Sequence, residues 1–296
     1  MKKRVLVTGS NGFIGRSFIE GFDKNIYDIY ALDFQDELHK DIVEIKDYFS
    51  VDISKPFNLN EDFDVIIHLA ALNQTNINSN FSYEQFRSVN VNGTKNVMNS
   101  CNFKKFIFFS TVNIYEKSAD QVDEDSPLKP LSVLSFYEKS KYEAELVCKE
   151  HIENEKLVIL RPANVTGIKQ ENKAIVPFFF SRASRNESIE IFVPKNRRIQ
   201  LLSVEDLFKA IEIIICNEHI YGTFNLSNKD NIEVRTLADK IITLCNSQSP
   251  VMCTNDSLEN YSEINSDKAK QLLNWQAENS IDTIINDYAE FFYQNK

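Results

Sequence analysis

Three of the chain's seven glycines fall in one short stretch, Thr8-Gly9-Ser10-Asn11-Gly12-Phe13-Ile14-Gly15. The run before them, Arg4-Val5-Leu6-Val7-Thr8, is apolar and rich in β-branched residues, and Phe13 to Phe22 after them has helical spacing. A strand that passes straight into a helix needs glycine where the backbone bends tightly and where helix and strand touch. The helix start so formed offers free amides and the positive end of the helix dipole, a natural seat for phosphate. The spacing is G-x-x-G-x-x-G, not the commoner G-x-G-x-x-G, so the loop taken alone is also compatible with a plain turn.

The context favours the phosphate seat. Ile26–Leu32, Asp64–Leu69, Phe106–Phe109 and Leu157–Leu160 are nearly continuous apolar runs, as parallel strands covered on both faces are. Helical patterns at Tyr83–Cys101 and Tyr137–His151 lie between them. This alternation predicts an α/β fold, a doubly wound parallel (Rossmann-like) sheet, with a smaller C-terminal α/β substrate lobe. The boundaries are placed at 1–163 for a dinucleotide-binding domain and 164–296 for the substrate-binding lobe, with 200–226 a candidate to return to the main sheet. In the second part helices are predicted at 173–186, 205–216, 234–246 and 281–293, and short strands at Ile189–Val193, Gln200–Leu202 and Thr223–Leu226. The polar stretch Asp120–Pro130 is predicted to be a loop.

Composition narrows the partners. A net charge of −10 argues against general affinity for nucleic acid or an anionic membrane surface. There is no run of about eighteen apolar residues, and the basic Met1-Lys2-Lys3-Arg4 start is followed by too short an apolar stretch for a signal peptide. The five cysteines are scattered without Cys-x-x-Cys spacing, which predicts reduced thiols, no metal site and a cytoplasmic protein.

The loop residues Gly9, Asn11, Gly12, Phe13, Ile14 and Gly15 are the candidates for a dinucleotide pyrophosphate. Asp33 follows the second strand, about twenty residues later, where a carboxylate accepts both adenosine ribose hydroxyls and repels a 2′-phosphate. That favours NAD over NADP, the plain alternative being a solvated strand-end acid. Asp52 and Ile53 suit an adenine contact or an ordinary turn. Leu69, Ala70 and Ala71 end another strand and leave room for a cofactor, while His68 reads as a core or supporting histidine. Tyr137 and Lys141 are four apart and share one helix face, where an ammonium lowers the pKa of a neighbouring phenol. Ser110-Thr111 stands at the C-terminal end of the apolar strand, the end of such sheets where ligands bind, with a hydroxyl suited to a sugar oxygen. A Tyr–Lys pair alone is usually a surface pair; in chain order behind the glycine loop and Thr111 it describes a hydride-transfer site.

These residues, together with Asn90-Val91-Asn92-Gly93-Thr94, Ser110 to Tyr115, Leu160-Arg161-Pro162-Ala163-Asn164-Val165, Val204-Glu205-Asp206 and Asp267-Lys268-Ala269 with Leu272-Leu273-Asn274-Trp275, resemble the extended short-chain dehydrogenase/reductases. Within these, the chain is similar to the NAD-dependent epimerase/dehydratase group that modifies nucleotide sugars. The resemblance implies Thr111, Tyr137 and Lys141 as the catalytic set, with Lys141 also binding the nicotinamide ribose and Asn90 supporting a relay through water. It implies Asn164 near a substrate diphosphate and Arg197 or Arg198 as its phosphate anchor; a solvated basic edge is the alternative for the arginines. It also implies a homodimer, because relatives pair the helices corresponding to 83–101 and 137–151. Two departures bear on the reaction. Sugar 4,6-dehydratases place Asp-Glu directly after the catalytic Thr, and decarboxylating relatives need the Glu; here Val112 and Asn113 stand there. Asn274 stands where glycine is usual; Thr166-Gly167 in place of Tyr-Gly and the absence of arginine from Ser257–Ser266 leave the nucleotide open. The expectation is an NAD-dependent nucleotide-sugar epimerase acting at C4. A 4-keto-sugar reductase and a non-catalytic dinucleotide-sensing protein are the alternatives.

Overall fold

The computed structural model describes residues 1–73, 81–117, 120–170 and 174–294. Residue 173, the expected start of one helix, lies outside them. The chain divides into two compact units, one made of Met1–Tyr115, Pro127–Arg161 and Phe208–Phe224, the other of Glu116–Ser126, Pro162–Leu207 and Asn225–Lys296.

In the first unit the apolar runs become strands β1 (Lys3–Thr8), β2 (Tyr27–Asp33), β3 (Asp47–Ser50), β4 (Asp62–His68) and β5 (Asn102–Phe109). With Leu157–Pro162 and Gly222–Leu226 they form a seven-stranded sheet. Its order is Gly222–Leu226, Leu157–Pro162, β5, β4, β1, β2, β3. The five pairings from β3 through Leu157–Pro162 are parallel, so the doubly wound sheet expected from the alternation is present. The register sets Leu32, Thr8, His68 and Phe108 in one row across β2, β1, β4 and β5. The strand order reverses between β1 and β4, and in sheets of this kind the crevice beyond the carboxyl ends at that point receives ligands.

Both faces of the sheet are covered. Helix α1 (Phe13–Gly21) buries Phe18 and Ile19, and Phe208 packs its ring 5.6 Å from Phe18 and 5.0 Å from Phe22. On another cluster Leu6, Ile66, Phe106 and Phe108 meet Val97, Ala144 and Cys148. These come from helices α3 (Gly93–Asn99) and α4 (Phe136–His151). The single helix expected over Tyr83–Cys101 is instead three pieces: α2 (Tyr83–Phe86), a π-type stretch Arg87–Asn92, and α3. The wider turn contains Asn90, whose side chain takes over backbone groups of another segment, as described below; hydrophobic periodicity does not register such a bulge.

The second unit has its own core, in which Phe179, Phe180, Leu237, Ile241, Ile284 and Tyr288 are buried together. The helices expected after residue 164 fall at Ile175–Ala183, Val234–Leu244 and Ile281–Gln294 in this unit, whereas Val204–Cys216 continues into the first. The expected loop Asp120–Pro130 contains a two-residue strand, Gln121–Val122, paired in parallel with Glu263–Ile264. Its partner lies over a hundred residues on, so no local pattern announces it. Among the described residues no helix is long and apolar enough to cross a membrane.

One buried cation organises the far end of the first unit. Lys105 of β5 is only 4% exposed, and its Nζ donates to the carbonyls of Ile214, Asn217 and Ile220 at 3.1, 2.6 and 3.0 Å. All three ammonium hydrogens are thereby used on the C-terminal end of a helix, where cations are favoured, although burial pushes its pKa down to about 8. Replacing Lys105 by Met keeps the stem and strands three carbonyls, so urea unfolding is expected to show a loss of about 1–3 kcal/mol. An unchanged midpoint would show that the carbonyls find other partners.

Candidate active site

The glycine loop is shaped by backbone contact. Gly9 has φ +70°, and a Cβ on it would sit 2.7 Å from the amide nitrogen of Ala70. A Cβ on Gly15 would sit 2.4 Å from the Gly9 carbonyl oxygen. The bare loop thus lies directly on Leu69-Ala70, the exit of β4. Helix α1 starts after Gly12 with no side-chain cap, leaving its first amides to other acceptors. Beside them the Ser10 hydroxyl is fully buried and unpartnered. Open helix amides with an orphaned buried donor fit a pyrophosphate.

Asp33 is 6% exposed, and its carboxylate accepts from the amides of Asn11 at 3.0 Å and Phe34 at 2.9 Å. Asn11 adds a second tie. Its amide nitrogen donates to Gln35 Oε1 and the Glu37 carbonyl, both at 3.0 Å, and its Oδ1 accepts from the His39 amide at 2.8 Å. Arg16 of α1 meets His39 Nε2 at 2.6 Å. The segment after β2 is therefore strapped to the glycine loop, a bridge that sequence reading missed because Asn11 reads only as a phosphate-seat residue and its partners lie more than twenty residues on. Asp52 is exposed and closes its own turn on the Ser54 amide and hydroxyl at 3.0 and 2.7 Å, which lowers its pKa. Ile53 turns inward, 5% exposed, into the cluster with Leu6 and Val97.

Thr111 is buried beyond the end of β5, and its Oγ1 accepts from the Asn113 amide at 3.2 Å, capping a 3-10 turn over Val112–Ile114. Its neighbour Ser110 carries a buried hydroxyl without a partner. Tyr137 and Lys141 lie in the first turns of α4, which opens with a reciprocal cap. Glu138 N donates to Ser135 Oγ at 3.3 Å and Ser135 N to Glu138 Oε2 at 2.9 Å. Lys141 is 3% exposed, with Nζ 4.3 Å from the Phe108 ring centroid. Burial holds it down to about 8 against the raising influence of Cys148 and Glu145. The Tyr137 residue keeps some surface, yet its phenol is enclosed enough that burial, then Glu138, pushes it up to about 12. The lowering expected from Lys141 is not in place here, because the ammonium faces the Phe108 ring.

Asn90 departs from its expected part. Its Oδ1 accepts from the Leu72 amide at 2.7 Å, and its Nδ2 donates to the Leu72 carbonyl at 3.0 Å and Ser140 Oγ at 2.8 Å. Both amide hydrogens are spent, so the side chain is a clamp and has none left to give a relay water. Sequence reading also missed Glu145 and the role of Arg161. The guanidinium meets Glu145 in a fork, at 2.9 and 2.7 Å, and donates to Tyr115 Oη at 2.7 Å. Arg161 and Glu145 are 3% and 0% exposed. Burial alone would lower the arginine's pKa; the bond to Glu145 holds it above its ordinary value.

In the second unit Asn164 is exposed, pairing with Leu201 in a short parallel ladder. Arg197 and Arg198 are not an open basic edge: Arg197 forks onto Glu259 at 2.9 and 2.8 Å, and Arg198 binds Glu233 at 3.1 Å and Asn231. The late motifs have structural work to do. The Asp206 carboxylate accepts the amides of Glu278 and Asn279 at 3.1 and 2.9 Å, and the Trp275 indole donates to the Asp206 carbonyl at 2.9 Å. Asn274 closes its helix at φ +51°, a left-handed position that asparagine tolerates in place of glycine. No cluster of three or more histidine, cysteine or acidic side chains among the described residues could hold a metal ion.

A dinucleotide-type sheet, a bare glycine loop and a Tyr–Lys pair behind Thr111 define a class, and comparison fixes the family. Residues 5–227 match the NAD dependent epimerase/dehydratase family, and the chain belongs to it. The mouse protein dTDP-D-glucose 4,6-dehydratase is 30% identical over 264 residues, covering 82% of this chain and 73% of its own. GDP-6-deoxy-D-talose 4-dehydrogenase of Aggregatibacter actinomycetemcomitans is 29% identical over 74% of this chain and 69% of its own. The fold is that of UDP-glucose 4-epimerase from Thermotoga maritima, at TM-score 0.82 and 21% identity over 99% of both chains.

The Glu145–Arg161 pair gives a direct stability test. Glu145→Gln leaves a buried guanidinium half-paired and is expected to cost about 3–5 kcal/mol in urea unfolding. Replacing both, as Glu145→Leu with Arg161→Met, should recover most of that loss. A small effect of Glu145→Gln would mean that Tyr115 alone suffices to hold the charge.

Proposed function

We propose that this chain is an NAD-dependent nucleotide-sugar epimerase that works by transient oxidation at sugar C4. The observation that carries this reading is the turn after Thr111. Thr111, Tyr137 and Lys141 are all retained, whereas Val112 and Asn113 supply no acid or base to expel water or carbon dioxide. The names of two relatives, a 4,6-dehydratase and a 4-dehydrogenase, both point to position 4 of the sugar.

In this reading Thr111 orients the sugar hydroxyl, Tyr137 carries its proton, and Lys141 binds the nicotinamide ribose. NAD, when bound, would supply the hydride acceptor and donor for the sugar carbon. With its phenol at about 12, Tyr137 holds its proton at neutral pH, so it serves as a base only once a cation beside it, the task of Lys141, lowers that value and frees the phenolate. Asp33 selects NAD by repelling a 2′-phosphate. The Asn11 strap closes the segment after β2 onto the loop, which supports slow cofactor exchange and hence epimerisation with NAD retained. In the substrate lobe, 164–296, Asn164 and the Arg197–Arg198 pair take the diphosphate. The arginines must leave Glu259 and Glu233 to do so, which makes that site selective for a strong anion. Large apolar side chains exposed on α4, Phe136 and Leu146, support a homodimer whose partner covers them.

UDP-, dTDP-, CDP- and GDP-sugars, each as 4-hydroxy and 4-keto forms, test the reading. Inversion at C4 without net consumption of NADH is the expected result; stoichiometric NADH oxidation on a 4-keto sugar would make the chain a reductase. On the substrate found, Tyr137→Phe is expected to lower kcat about a hundredfold or more while NAD still binds. Near-normal turnover would remove Tyr137 from its role. Asp33→Ala is expected to weaken NAD binding and to narrow its margin over NADP, read by titration of both. Equal wild-type affinities would contradict the assignment of Asp33.

A further inference from the structure

An unbroken line of buried side chains joins the last residue of β1 to the backbone of Tyr137. Thr8 Oγ1 lies 2.7 Å from His68 Nδ1, and His68 Nε2 lies 2.9 Å from Thr94 Oγ1. Thr94 Oγ1 donates to the Asn90 carbonyl at 2.6 Å. Asn90 Nδ2 donates to Ser140 Oγ at 2.8 Å, and Ser140 Oγ donates to the Tyr137 carbonyl at 2.8 Å. Thr8, His68, Thr94, Asn90 and Ser140 are each at most 1% exposed.

The hydrogens in this line have one consistent arrangement. A carbonyl only accepts, and a hydroxyl has a single hydrogen to give. Thr94 gives its hydrogen to the Asn90 carbonyl, so it must accept from His68, and Nε2 carries a hydrogen. Thr8 Oγ1 already accepts from the Ala70 amide at 3.2 Å. With Nδ1 bare, Thr8 gives its own hydrogen to the ring and every donor is placed. With Nδ1 protonated, the Thr8 hydrogen is stranded, and a charged ring lies between Phe106 and Phe108 with Lys141 adding like charge. Among the groups around His68 in β1, β4, β5 and α4, Lys141 is the charged one acting on it. Burial pushes the imidazole down to about 3, in keeping with a neutral ring.

We infer that His68 is a positioning residue, fixed as the neutral Nε2–H tautomer, which sets the floor of the glycine loop and the first turn of α4 in common register. One end acts through Thr8 on Ala70, against which Gly9 rests. The other end acts through Thr94 and Asn90 on Leu72, and through Ser140 on Tyr137. The consequence for catalysis rests on the reading of Tyr137 as proton carrier and the loop as dinucleotide seat; the tautomer does not.

Nitrogen NMR of the protein labelled in its four histidines tests the tautomer. One ring, absent from the spectrum of His68→Gln, is expected to keep a bare Nδ1 and a protonated Nε2 throughout the range in which free imidazole titrates, about 5 to 8. A protonated Nδ1, or titration of that ring, would overturn the inference. Stability should agree in sign: the native state refuses a proton that the unfolded chain takes up, so stability is full above about 6.5 and falls as acid is added toward about 3. Two partial replacements test the coupling. Asn reaches only the Nδ1 position and Gln only Nε2. His68→Asn keeps the Thr8 side, so NAD affinity should hold while kcat falls about tenfold. His68→Gln keeps the Thr94 side, so NAD affinity should fall about tenfold with the smaller change in kcat. Folded variants that share one phenotype, or none, would overturn the coupling. Absence of activity toward every nucleotide sugar would sink the proposed reaction and leave the NMR and NAD-binding arms standing.

Discussion

The buried fork between Arg161 and Glu145 is the contact on which the arrangement of the first unit depends. Tyr137, Lys141 and Glu145 are spaced by four and so share one stripe of α4. Fixing the rotation of the helix at Glu145 therefore fixes the direction of the two residues above it. A leucine in that place would pack without a preferred rotation, whereas a planar guanidinium meeting two carboxylate oxygens admits one. The same arginine bonds Tyr115, which follows Thr111 by four residues and closes the turn that Thr111 caps. One side chain thus ties the segment of Thr111 to the segment of Tyr137. A buried ion pair adds little net stability over a well-packed apolar pair, so its value here lies in geometry.

The parallel sheet explains why the polar contacts around the candidate site gather at the carboxyl ends of its strands. Through its middle it is covered on both faces, and Val5, Leu6, Ile66, Ile67, Phe106 and Ile107 are fully buried apolar residues. Polar side chains enter at the carboxyl ends: Thr8, His68, Ser110, Thr111 and, on the next strand, Arg161. Of these only Ser110 has a hydroxyl buried without a partner, and Ser10 in the glycine loop shares that state. Buried polar groups left unsatisfied are costly, and two of them on either side of the strand-order reversal mark where a ligand with acceptors completes the structure.

What the sequence made legible follows from the range of each signal. Strands β1, β2, β4 and β5 and the glycine loop are local patterns, and they stand where apolar runs and glycine spacing put them. The contacts that sequence reading missed are long-range and carried by polar side chains. Asn11 to His39, Asn90 to Leu72, and Glu145 to Arg161 link residues at separations no periodicity encodes. Asn90 shows the difference well. Its place in Asn90-Val91-Asn92-Gly93-Thr94 identified it as a residue of the site, but only coordinates reveal that its amide is fully spent on Leu72 and Ser140. Arg197 and Arg198 show the same limit, since nothing beside two adjacent arginines in the sequence announces that Glu259 and Glu233 hold them.

The pKa values carry this contrast into the chemistry. In the structure, burial leaves Tyr137 proton-loaded and draws Lys141 toward neutrality, the opposite of what a reacting pair requires. Lys141 rests over the Phe108 ring while Glu145, itself held by Arg161, favours its charged form. A negative ligand group near Lys141 would raise its pKa in the same direction as Glu145 does, and a fully charged ammonium is what lowers a nearby phenol. The pair therefore need not be poised in advance. On the proposed reading, burial keeps the pair quiet until a ligand group of opposite charge beside Lys141 favours its ammonium. This division of labour also suits a protein with a net charge of −10, in which long-range attraction cannot deliver an anion and every favourable contact with one must be local.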